Sequence, residues 1–124
     1  MASLTIDDEQ DVVVVGFKDV TILDDTLIQQ IGEEFKGLTL QAASGGKLLL
    51  DFSRVGFMSS AMIGQIVKLH KNCKRDKIKL KLCKISPNIF EVFQITGLNK
   101  LLDIQADREH AMAAFGPPPP GWKR

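Results

Sequence analysis

The sequence predicts an α/β fold: a single domain with one small mixed β-sheet covered by about four α-helices. Three observations predict it. Short, apolar, strand-like runs such as Val12-Val13-Val14-Val15 and Leu48-Leu49-Leu50 alternate with stretches of helical apolar spacing. Continuously apolar runs suggest strands buried on both faces. The length of 124 residues suits one core without disulfides or metal, and 44% apolar with 25% charged residues argues against disorder.

Each element follows from its local pattern. Leu4–Ile6 and Val12–Phe17 are two strands joined by the acidic turn Asp7-Asp8-Glu9-Gln10-Asp11. Thr21–Asp25 is a connection in which Asp24 or Asp25 can cap the next helix. From Thr26 the set Leu27, Ile28, Ile31, Phe35 and Leu38 has helical spacing, with an end expected near Gly37 and a turn at Ser44-Gly45-Gly46. Lys47–Phe52 is a buried strand, Ser53–Ser60 a hinge, and Met62, Ile63, Ile66, Leu69 and Cys73 the stripe of a second helix. The strict alternation of Ile78–Leu82 implies one dry face and one wet face carrying Lys79 and Lys81. Asn88–Thr96 is a short helix closed by Gly97 as a left-handed C-cap. Leu101–Ile104 is expected as a short strand and Asp107–Phe115 as a helix capped by Asp107. The domain spans 4–115, and the proline-rich tail 116–124 is expected to be extended and flexible.

Composition narrows the function. The net charge is +1, with no global pull toward nucleic acid or membrane. Residues 1–51 carry ten acidic and three basic side chains (−7), and residues 52–124 five acidic and thirteen basic (+8), a weak pointer to a partner. Met1–Glu9 lacks the basic start and apolar core of a signal peptide, and no apolar run approaches the ~20 residues that span a bilayer. Cytoplasmic residence without membrane insertion is the expectation, with Cys73 and Cys83 as reduced thiols. No metal-ligand spacing, cofactor motif or catalytic constellation occurs; His70 lies ten residues after Ser60, and His110 has no local partners. An enzyme is not expected, and neither a cofactor nor a metal is implied.

Chemistry concentrates where a buried strand passes into a helix, at Val55-Gly56-Phe57-Met58-Ser59-Ser60-Ala61-Met62-Ile63-Gly64. A helix start presents free N–H groups and a partial positive charge, so a serine there is either a cap or a place where a phosphate is tolerated. The segment Leu48–Gly64 resembles the central motif of STAS domains, the anti-sigma factor antagonists and their relatives. A second stretch, Ile85-Ser86-Pro87-Asn88-Ile89-Phe90-Glu91-Val92-Phe93-Gln94-Ile95-Thr96-Gly97-Leu98, resembles that family's SPxVxxxFxxTGL signature. The resemblance covers about residues 4–115.

The resemblance implies a partner-switching regulator. The unmodified protein binds a serine kinase that doubles as the anti-sigma factor; phosphorylation releases it, and a metal-dependent serine phosphatase resets the switch. Aligned with the family's FMDSSGLG, Ser60 falls on the phosphoacceptor, with Ser59 as the alternative. Ser59 stands where Asp is usual, Ala61 in place of the second Ser and Met62 in place of the first Gly. The implied partner-binding residues are Asp24, Gly56, Phe57, Met58, Ser59, Ser60, Ala61 and Met62. A bare helix cap remains the plainer alternative for either serine, and for Asp24. A second functional reading is a STAS scaffold that is never phosphorylated, within a signalling assembly or beside a membrane transporter.

Lys68, Lys71 and Arg75 share one helix face, and the basic run continues through Lys74, Lys77, Lys79, Lys81 and Lys84. A solvated face explains them, and no aromatic is interleaved for base stacking, so nucleic acid is not an expected partner. Homo-oligomer formation is left open at this level.

Overall fold

A computed structural model describes residues 3–42 and 46–121. Met1-Ala2, Ala43-Ser44-Gly45 and Trp122-Lys123-Arg124 lie outside them, so the turn expected at Ser44-Gly45 and the last three residues of the tail are not described. The chain runs β1 (Leu4–Glu9), β2 (Val12–Phe17), β3 (Thr21–Ile22), α1 (Asp25–Ala42), β4 (Lys47–Asp51), β5 (Phe57–Met58), α2 (Ser60–Arg75), β6 (Lys79–Cys83), α3 (Pro87–Thr96), α4 (Leu98–Leu101), β7 (Ile104–Gln105) and α5 (Arg108–Phe115). The main sheet has the order β1-β2-β4-β6-β7, antiparallel at β1–β2 and parallel elsewhere, while β3 and β5 form a separate two-stranded sheet.

Strands buried on both faces follow from how helices cover this sheet. Val13, Val15, Leu48, Leu50 and Leu82 pack beneath α1, α2 and α3, against Ile31, Phe35, Met62, Ile66, Ile89 and Phe93. Phe17 stacks on Phe52 at 4.7 Å between ring centroids and meets Phe35 edge-on. On the opposite face Val12, Val14, Leu49 and Cys83 are covered by Ala111 and Phe115 of α5. Alternate residues of β2, β4 and β6 thus serve two different cores. Lys47 and Asp11 join the starts of β4 and β2 by an ion pair at 2.7 Å. Cys73 and Cys83 are buried free thiols; burial chiefly pushes them up, to about 11 and about 12.

Five boundaries differ from expectation, each for a physical reason. The acidic turn is shorter: Asp7, Asp8 and Glu9 continue β1 opposite Val14, Val13 and Val12, and the chain reverses at Gln10 with φ 54°. Helix α1 passes through Gly37 to Ala42 because Leu38 beyond it is buried, so the apolar stripe carries the helix on. The hinge after β4 contains the strand β5, which finds a partner in β3. Leu98–Leu101 forms a single helical turn, α4, and the last strand begins at Ile104 instead of Leu101. Among the described residues there are therefore five helices, the single turn α4 being additional to the about four expected. Finally, β6 is an interior strand and Lys81 is not on a wet face: α5 covers it, its side chain is 14% exposed, it pairs with Asp103, and its ammonium lies 5.1 Å from the Phe115 ring centroid.

Candidate functional site

The two-stranded sheet of β3 and β5 builds the site. Thr21 pairs with Phe57 and Ile22 with Met58, placing the chain before α1 beside the chain before α2. Three backbone bonds tie the strips together. The Val20 carbonyl accepts from Gly56 N at 2.8 Å and Phe57 N at 3.2 Å, and the Ile22 carbonyl accepts from Ser59 N at 3.0 Å. From α3, Asn88 Nδ2 donates to the Gly56 carbonyl at 3.0 Å, while Ser86 Oγ donates to Asn88 Oδ1 at 2.7 Å. Asn88 is a positioning residue that sequence reasoning placed only within a helix; nothing in its spacing pointed to Gly56.

The two serines have different surroundings. Ser59 is the N-cap of α2, in extended conformation (φ −79°, ψ 167°), and its Oγ accepts from Met62 N at 3.4 Å. The Ser59 carbonyl also accepts that N–H, at 3.1 Å, and the N–H of Ile63 at 3.2 Å. Ser60 is the first helical residue and exposed, and its hydroxyl makes no hydrogen bond with any described residue. Helix geometry leaves the N–H groups of Ser60 and Ala61 without intrahelical partners, so an anion on Ser60 would meet free donors and the positive end of the helix dipole.

The remaining expected residues divide by burial. Asp24 is exposed and caps α1, its Oδ2 accepting from Leu27 N at 3.0 Å. Gly56, Phe57 and Ala61 are exposed on the same rim. Met58 and Met62 are not on it: at 5% and 0% exposure they anchor the loop in the core, so any contact with a partner is made by their neighbours. The rim carries an apolar fringe, with Val20 56%, Leu23 51% and Phe57 49% exposed. Val20 and Leu23 were not expected there, because a two-residue strand is too short to show a period.

Among the described residues, no group of three or more His, Cys, Asp or Glu side chains could hold a metal ion. No described helix is long and apolar enough to cross a membrane. The model of the STAS domain family matches residues 33–111. The chain belongs to the STAS domain family.

This STAS domain is similar to the putative anti-sigma factor antagonist BtrV of Bordetella bronchiseptica, 32% identical over 69 residues, covering 56% of this chain and 60% of the relative. It is also similar to the anti-sigma-B factor antagonist of Bacillus subtilis, 34% identical over 68 residues, covering 55% of the chain and 62% of the relative. The matched part thus spans about three fifths of these relatives' own length. Among solved structures, an anti-sigma-factor antagonist (STAS) domain protein from Planctomyces limnophilus superposes with a TM-score of 0.79 at 27% identity, over 91% of this chain and 97% of that one. Its fold is that of this STAS domain almost throughout.

Proposed function

We propose that this STAS domain is an anti-sigma factor antagonist, a cytoplasmic partner-switching regulator whose docking rim is Val20–Asp24 together with Gly56–Ala61. The partner is a serine kinase that doubles as an anti-sigma factor. Ser60 is the residue that it phosphorylates, and a metal-dependent serine phosphatase reverses the modification. The observation that carries this reading is the division of labour at the start of α2: Ser59 is engaged as the cap, whereas Ser60 is exposed with a free hydroxyl. The resemblance of this chain to anti-sigma factor antagonists supports the partner.

The switch works on the interface more than on the fold. A phosphate adds about −1.5 to −2 charges, which the helix start accommodates. A partner packed over Phe57, Val20 and Leu23 would have to desolvate that dianion. Binding is lost while the domain stays folded.

The test is incubation with the cognate kinase and ATP, followed by intact mass and binding measurements. Ser60→Ala should abolish phosphoryl transfer and keep the partner bound, Ser60→Glu should weaken binding, and Ser59→Ala should leave transfer intact. The reading is overturned if Ser60→Ala and Ser59→Ala each leave both phosphorylation and affinity unchanged. A large native assembly devoid of phosphoserine would establish the scaffold reading in its place.

A further inference from the structure

Strand β1 is the outer strand of the main sheet, and no described strand pairs with its far side. The phase of its hydrogen bonds is set by Lys18 N, which donates to the Ser3 carbonyl at 3.1 Å. In an antiparallel pair, residues bonded to the neighbour alternate with residues whose backbone groups face away. Thr5, Asp7 and Glu9 therefore bond toward Gly16, Val14 and Val12 of β2, and the backbone groups of Leu4 and Ile6 point outward. The Ile6 side chain is 47% exposed beside the buried Val15. Such an edge is a template for a further strand.

Charge decides which strand fits. The second half of β1 carries Asp7, Asp8 and Glu9, whereas Leu4, Thr5 and Ile6 carry no charge. By strand alternation Thr5, Asp7 and Glu9 lie on the sheet face that α5 covers at Val12 and Val14. On that face Thr5 lines an opening of about 500 Å³ together with Lys18, Arg54, Arg108 and Asp51. The Asp51 carboxylate is occupied, accepting from Ser53 N and from Arg108 Nη2, each at 2.9 Å. Lys18 and Arg54 form no ion pair with any described residue. One end of β1 is thus acidic, and the other lies beside an excess of positive charge. An antiparallel copy of the same strand complements both ends at once.

We infer that β1 is a self-recognition edge, pairing antiparallel with β1 of a second copy about a twofold axis at Ile6 and joining two five-stranded sheets into one. In this register Ile6 meets Ile6 of the second copy, Leu4 meets Asp8, and Thr5 meets Asp7. Asp7 and Glu9 of each copy come to the Thr5–Lys18 end of the other, where Lys18 and Arg54 offer charge. Glu34, also at that end, is engaged by Ser3 N at 3.1 Å. Registers centred on Asp7 or Asp8 would set carboxylates directly opposite each other, which destabilises a strand pair. The acidic half of β1 therefore selects the register instead of forbidding the contact. A twofold operation uses each edge once, so assembly closes at the dimer. No residue of the Ser60 rim belongs to β1, and the inference does not rest on the function proposed above.

The experiment is sedimentation velocity of the whole chain from micromolar to millimolar concentration, at low and at high sodium chloride. A reversible monomer–dimer equilibrium is expected, weaker at high salt. Ile6→Lys should raise the dissociation constant about tenfold or more, because it sets two lysines opposite each other. The Ile6 N–H lies outside the bonds between β1 and β2, so the variant should keep its far-UV spectrum. Glu9→Lys and Lys18→Glu should each weaken the dimer, and the two combined in one chain should restore it. A chain that stays monomeric throughout, a dimer that survives Ile6→Lys, a charge exchange that restores nothing, or growth beyond the dimer would overturn the inference. A monomer whose β1 amides shift saturably with a lysine-rich peptide would also overturn it, giving the edge to a foreign basic strand.

Discussion

At Ser59 the chain uses a hydroxyl to cap α2 over a rather long 3.4 Å, where its family more often has a carboxylate. A carboxylate in the same extended backbone would accept from the same N–H groups and add a negative charge at the positive end of the helix dipole. Ser59→Asp is therefore expected to stabilise the domain by about 0.5 kcal/mol, and Ser59→Ala to destabilise it by about 0.5–1 kcal/mol. Urea denaturation of the two variants reads both signs. Ser60, exposed and without a bond to lose, should be replaceable by Ala within about 0.5 kcal/mol. The helix entry and its two hydroxyls were legible from residue types, because capping is a local rule. The ranking of Ser60 over Ser59 came from the family resemblance. The burial of Met62 was legible from its place in the apolar stripe of α2, whereas that of Met58 was not, since it sits in a segment without a period.

Elements were legible in proportion to their length. Strand β2 and helix α2 have runs long enough to show a pattern, and each formed where its apolar residues placed it. The two-residue strands β3 and β5 exist only because they meet each other, a fact of tertiary structure that neither stretch carries alone. Helix α1 shows a different limit. Gly37 argues locally for an end, yet one more buried residue, Leu38, outweighs it: burying a leucine contributes about 2 kcal/mol, against about 1 kcal/mol for a glycine within a helix. Gly37 is exposed, and a Cβ there would touch nothing within 4 Å. Gly37→Ala should accordingly raise stability by about 0.5–1 kcal/mol, seen as a higher denaturant midpoint with an unchanged slope. Lys81 was misplaced for a related reason: alternation tells which residues share a face, but only α5 decides whether that face is wet.

Across the whole molecule, carboxylates held below their ordinary range make stability depend on acid, Asp51 and Asp103 among them. Burial by itself would push Asp51 up, but hydrogen bonds from Ser53 and the Arg108 guanidinium outweigh it and hold the carboxyl below its ordinary range. Asp103 is likewise raised by burial and lowered further by Lys81 and Gln105. A carboxyl whose folded value lies below its unfolded one contributes stability that is present above the unfolded value, about 4, and is lost as pH falls through the folded value. The urea midpoint should thus hold from pH 7 to about 5 and fall below about 4. Arg108→Gln should lower the neutral-pH midpoint and flatten that fall. A fall of undiminished steepness in Arg108→Gln would show that the Asp51 pair has no part in it.

The order β1-β2-β4-β6-β7 has a consequence for how the chain reaches its fold. Every strand of the main sheet joins the edge laid down just before it, so no strand has to be inserted between two that are already paired. Within this sheet each loop closure spans at most two helices between successive sheet strands, and the entropic barrier to each addition stays small. A chain leaving the ribosome can extend its sheet from β1 outward, with each new helix closing over the strand it has just delivered. Only α5 must wait, because its seat on the opposite face is assembled from β2, β4 and β6 together.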